Sequence, residues 1–108
     1  KVLFHEDVAE PIFAFTLKNL MGIELTGTNT LLEKQMVEPK KPGDIQIVGF
    51  TQKMTMQGGE YLLSLGCTGY DKEAFKVHHR LYDVCSLGVI SEKNTVGYFD
   101  MESTVEIE

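Results

Sequence analysis

The sequence predicts an all-β fold, a β-sandwich of about seven or eight antiparallel strands. Three observations carry this. Apolar residues recur with a period of two along most of the chain. Turns containing glycine or asparagine separate the alternating runs. No segment sustains the 3.6-residue apolar period of a long helix.

Phe13, Phe15 and Leu17 share one parity against Ala14, Thr16 and Lys18, the pattern of a strand with one buried face. Met21-Gly22 supplies a turn, and residues 23–29 form the β-branched hairpin partner. Residues 31–37 are briefly helix-compatible, but Pro39 to Gly43 make a polar connector. Its length suits a crossing between two sheets and not a domain boundary, so residues 1–108 read as one domain. Residues 44–56 form a long strand with Val48, Phe50, Met54 and Met56 on one parity. A Gly58-Gly59 turn follows, and then a strand over 61–67. Residues 68–77 read as a loop with one helical turn near 72–75. Residues 79–90 return to alternation, residues 91–95 turn, and 96–99 and 104–107 supply two short last strands.

The totals exclude several functions. Sixteen acidic against ten basic residues give a net charge of −6. Such a chain cannot supply the counterion release on which nucleic-acid binding depends, and it is repelled by anionic membrane surfaces. No apolar run approaches the roughly 18–20 residues of a membrane span, so no direct membrane insertion is expected, and the opening run does not read as a signal peptide. The first residue, Lys1, already lies in a strand-like run, and the chain reads as a piece of a longer protein. Cys67 and Cys85 are too few for a disulfide framework or a metal site, and are expected to be reduced, buried thiols.

Catalytic and cofactor signatures are missing. There is no GxxxxGK[ST] phosphate loop, no GxSxG and no HExxH, so no cofactor and no enzymatic activity are expected of this domain. His78 and His79, adjacent on a strand, would point to opposite faces and not to one metal ion; they read as a solvated strand end. Asp83 falls on the buried parity of its strand, where a carboxylate needs partners; it reads as a structural acid capping backbone N–H groups. No two acids share a cleft by parity, which counts against a glycan-modifying enzyme. The remaining candidate is the outward face of the later strands. There Ser64 and Gly66 leave room beside Arg80, Tyr82 and Ser86, with His78 near the strand start. A tyrosine ring flanked by donors suits a sugar, apolar on its faces and hydroxylated at its rim. The same residues read equally as an ordinary solvated sheet face.

Three blocks carry a family resemblance. The run Pro11-Ile12-Phe13-Ala14-Phe15-Thr16-Leu17-Lys18, followed by Gly22 and Gly27-Thr28-Asn29-Thr30, resembles a P-x-F-G-F-x-I-K…G…G-T-N-T hairpin. Gly59 to Gly66 resembles a G-x-Y-x-L-S-x-G strand, and Asp83, Leu87 and Val89 match D-x-x-x-F-x-V. Ala14 and Leu87 depart from the pattern, where Gly and Phe are usual. These blocks resemble the C-terminal domain of Wzt-type ATP-binding subunits of polysaccharide-export ABC transporters, which include O-antigen and teichoic-acid exporters. The resemblance implies a sandwich of immunoglobulin-like or jelly-roll character that follows a nucleotide-binding domain not contained in this chain. It implies recognition of a polysaccharide, including its terminal modification, and partnership with the other transporter subunits. It further implies a homodimer and a cytoplasmic position at the inner face of the plasma membrane. The alternative is a dimerisation module of the same subunit that does not itself touch glycan. The matched motifs look structural, so the proposed carbohydrate-contacting set (His78, Arg80, Tyr82, Ser64 and Ser86) rests on face parity alone.

Overall fold

The alternation of Phe13, Phe15 and Leu17 builds the strand onto which the other elements are laid. The computed structural model describes residues 1–108. Its strands are β1 (Val2–Leu3), β2 (Glu10–Asn19), β3 (Glu24–Asn29), β4 (Ile45–Gln46), β5 (Gly59–Asp71) and β6 (Ala74–Val89). The fold is all-β, as the alternation predicts, and is made of two antiparallel sheets. Four strands pair in the order β3-β2-β5-β6, and β1 pairs with β4. No helix is long and apolar enough to cross a membrane.

The β2–β3 hairpin forms where the sequence places it. The Asn19 side-chain Oδ1 accepts from the N–H groups of Met21 (3.0 Å) and Ile23 (2.9 Å), and Gly22 takes φ 83°. Side-chain capping and a glycine in the left-handed region together close the turn. Gly27 of β3 is required for another reason: a Cβ there would lie 2.6 Å from the Phe15 carbonyl oxygen.

The inner face of the large sheet carries the core. Phe13 and Cys67 are buried with Phe4 and Val8, and the Phe4 and Phe13 rings meet edge to face at 6.2 Å. Phe15 and Leu17 are buried with Met56 and Tyr61. The crossover after β3 returns to the N-terminal segment through the Val8–Lys40 bridge and the Phe4 N–H to Asp44 carbonyl bond (2.9 Å).

Three expectations are corrected. The long strand over 44–56 survives only as β4 and an isolated Met56–Phe99 bridge, so Gly58-Gly59 is not a hairpin turn, and Gly59 opens β5. Residues 68–77 are not a loop with a helical turn. β5 and β6 run on through them to the Asp71–Ala74 pair, with Lys72 at φ 61° in the two-residue turn and the Tyr70 and Phe75 rings in edge contact at 5.6 Å. Residues 104–107 form no strand, and 96–99 contribute only the bridge at Phe99, so six strands form instead of seven or eight. The physical reason is shared. Alternation prepares a strand, but a strand exists only where a neighbour pairs with it, and β1 and β4 offer just two residues each. The sixteen-residue β6 alone spans about 50 Å, and the radius of gyration is 17.4 Å, against about 13 Å for a compact chain of this size.

The thiols also differ from expectation. Cys67 is buried, and that burial pushes its thiol pKa up, whereas Cys85 is exposed. They do not face each other: Cys67 pairs with His79 and Cys85 with Leu63. A thiol reagent should therefore modify one cysteine per native chain rapidly and the second only on unfolding. Cys85→Ser should abolish the fast phase; a fast phase surviving in that variant would contradict the burial of Cys67.

Candidate functional site

The outer face of the large sheet is floored by small residues. Ala14 of β2 lies opposite Gly66 of β5, which lies opposite Arg80 of β6; Thr16 lies opposite Ser64 in the next row. Because these side chains are short, the face is hollowed into a groove of about 230 Å³, walled by Lys18, Glu24, Arg80 and Tyr82.

A bulge in β6 shapes this wall. Leu63 pairs with Cys85 and Leu65 with Leu81, so four steps along β6 match two along β5. Asp83 sits within the bulge at φ 50°, a conformation aspartate tolerates better than most residues. Its backbone N–H donates to the Ser64 Oγ at 2.9 Å, and its carboxylate pairs with the Lys18 ammonium at 3.0 Å. Lys18 Nζ also lies 5.6 Å from the centre of the Tyr82 ring, within cation–π range. Arg80 Nη1 donates to the Tyr82 hydroxyl at 3.4 Å. Tyr82 thus stands between two cations and is two-thirds exposed (66%).

The bulge overturns the parity placing of Asp83. The extra residues turn it away from the core, and its side chain is 44% exposed. It is a structural acid, as the sequence suggests, but it works by pairing Lys18 from the solvent side.

Of the five predicted contact residues, the structure brings Ser64, Arg80 and Tyr82 to one groove. Ser64 is buried and spends its hydroxyl on Asp83, so it positions the bulge. Ser86 shares the outer face but donates to Glu60 Oε2 at 2.9 Å, beyond the groove. His78 does not join them. It is the extra residue of a second bulge, and its Nδ1 lies 3.3 Å from Glu6 Oε1, on the side covered by the N-terminal segment. Hydrogen bonding from His78, joined by Lys76, holds the Glu6 carboxyl below the usual carboxylate range. Lys18 and Thr16 were missed by sequence reasoning. Their parity on β2 signals the outer face, but only the β2–β5 pairing reveals that this face adjoins Ser64.

Residues 1–101 match the family described as the Wzt C-terminal domain. Among solved structures, a crystal structure of the C-terminal domain of Wzt is similar, with a TM-score of 0.89 at 24% identity. The likeness covers 98% of this chain and 65% of that one, so this chain spans just under two thirds of its neighbour's length. At this identity it shows a common fold. No curated protein matches the chain.

Two substitutions separate the roles around the bulge. Ser64→Ala leaves the Asp83 N–H without its acceptor and should lower stability to urea by about 1–2 kcal/mol. Asp83→Asn keeps a residue suited to positive φ and removes only a partly exposed ion pair, so it should cost less than about 1 kcal/mol. The reverse order of the two losses would show that the ion pair, and not the Ser64 hydroxyl, holds the bulge.

Proposed function

Because the chain belongs to the Wzt C-terminal domain family, we propose that it is a non-catalytic glycan-recognition domain of a polysaccharide-exporting ABC transporter subunit. It works at the cytoplasmic face of the membrane and reads the polysaccharide, including its terminal modification, before export. The observation that carries this reading is the outer-face groove, where Tyr82 stands exposed between Arg80 and Lys18 over a floor of Ala14, Thr16 and Gly66. The ring offers a stacking surface, the guanidinium offers directed donors, and the small floor admits a sugar ring. Recognition of this kind makes and breaks no bond.

One observation favours a second reading, a homodimerisation module. The inner face of β5 and β6 is only partly covered. Leu65 and Leu81, paired across the strands, are each 40% exposed, and an apolar hollow of about 250 Å³ lies beside Met54 and Leu87. A second copy laid over this face would bury it. Dimerisation by itself fits the first reading too, since a homodimer presents each glycan groove twice; a module that does nothing but dimerise would bind no glycan.

Titration of the domain with the surface polysaccharide of the producing cell, intact and stripped of its terminal group, tests the first reading. Binding to the intact chain should weaken by about tenfold or more in Tyr82→Ala and in Arg80→Ala, with the fold unchanged. Equal and negligible binding of both forms would refute glycan recognition. Light scattering over a range of concentrations tests the second: mass should double on concentration, and a constant monomer mass would exclude it.

A further inference from the structure

The segment following β4, which the sequence reads as a continuing strand, instead runs as an irregular wall over the inner face of β2 and β3. Opposite it stands the crossover around Glu33 to Val37. Between the two walls lies a cleft of about 500 Å³, inside the roughly 300–1,000 Å³ range of small-ligand sites and about twice the size of the outer-face groove.

Its chemistry differs from that of the groove. Gln35 and Gln52 are exposed, and Gln46 is half-buried with its amide donating to the Ile47 carbonyl at 3.0 Å. Thr51 adds a hydroxyl and Phe50 a ring. The only charged side chain in the lining is Glu33, whose Oε1 already accepts the Thr28 hydroxyl at 2.8 Å. A primary amide carries one acceptor and two donors in a plane, a set that can engage two neighbouring hydroxyl groups at once. Phe50 is fixed by an edge contact with Phe15 at 5.0 Å and remains 36% exposed, so it offers a held apolar surface. No cation lines the cleft, which disfavours phosphate or carboxylate ligands. No second acid stands beside Glu33, which disfavours a divalent cation.

Neutral amides, threonine hydroxyls and the exposed Phe50 ring, set beside aliphatic Met36, Val37, Ile47 and Val48 in a cleft of this size, form a surface for an uncharged polyhydroxylated ligand. We propose that this cleft is a second glycan site that takes uncharged hexose units. It is separate from the Arg80–Tyr82 groove and lies across β2 from it: Phe15 and Thr28 face the cleft, while Ala14 and Thr16 face the groove. The inference rests on the glycan-recognition reading but assigns it a different face and a different ligand chemistry. One polysaccharide chain then meets the domain at two places, repeat sugars in the amide cleft and a distinct group at the cationic groove.

Nuclear magnetic resonance on the isotope-labelled 108-residue chain tests this. Neutral tetra- to hexasaccharides built of glucose, galactose or mannose are titrated in turn. The side-chain amide signals of Gln35, Gln46 and Gln52 are followed alongside those of Arg80 and Tyr82. Saturable shifts are expected at the glutamines with at least one sugar. The double variant Gln35→Ala/Gln52→Ala alters only exposed side chains and should weaken that binding by at least about tenfold. Shifts confined to Arg80 and Tyr82 would overturn the second site and leave glycan recognition standing. Shifts at the glutamines that the double variant does not weaken would also overturn it. An absence of shifts at the glutamines with every sugar would overturn the second site, while glycan recognition itself stands or falls on the titration with intact and stripped polysaccharide.

Discussion

Everything in this domain is referred to the ladder between β2 and β5. It runs without a register shift from the Glu10–Tyr70 pair to the Asn19–Tyr61 pair, whereas the β2–β3 and β5–β6 pairings both contain irregularities. Side chains alternate between faces, so a slip of one residue would turn Phe13, Phe15 and Leu17 outward and expose the core. Burial of those residues therefore fixes the register. Backbone packing fixes it again at one end, where a Cβ on Gly69 would lie 2.5 Å from the Glu10 carbonyl oxygen. The same register places Ala14 against Gly66 and Thr16 against Ser64, so the core on one face and the groove on the other have a single cause.

Irregularity is concentrated on β6, the edge strand, where it costs least and does most. A sixteen-residue edge presents a long row of backbone groups to any passing strand, and bulges that bend an edge discourage such pairing. The same bulges re-aim side chains. At Asp83 the chain gains residues, Lys18 gains a carboxylate partner, and Tyr82 is brought over Lys18 beside Arg80. At the second bulge, His78 is turned toward Glu6 and the N-terminal segment. One device thus both limits the edge and separates the residues that line the groove from those that tie down the N-terminal arm.

What was legible in the sequence follows from the range of the interactions concerned. The β2–β3 hairpin was readable because its parity, Asn19 and Gly22 all act locally. The segment 47–55 was misread because its alternation is real but its pairing depends on a partner strand, a long-range condition that parity does not encode. The β5–β6 turn was misread because Lys72 and Glu73 are not customary hairpin residues; the Tyr70–Phe75 contact and the long flanking ladder override that local preference. Ser64, Arg80 and Tyr82 were readable as neighbours by outward parity. Asp83 was not, because alternation breaks down inside a bulge, here three residues set against Ser64 alone.

The groove's dimensions bear on how such a domain discriminates. At about 230 Å³ it falls below the usual range of small-ligand sites, so on the proposed reading it has room for one sugar or one terminal group and not for an extended oligosaccharide. Of its two cations, Lys18 is committed to Asp83, while Arg80, the one arginine in a chain of net charge −6, has only a hydroxyl neighbour. A single guanidinium and one ring supply limited binding energy once the cost of immobilising the ligand is met. On the proposed reading, then, one groove binds weakly, and useful occupancy requires either a second copy of the domain or further contacts along the same polymer. Weak sites joined in this way release a chain that satisfies only one of them. That is the behaviour needed to distinguish a completed polysaccharide from an unfinished one of the same repeat.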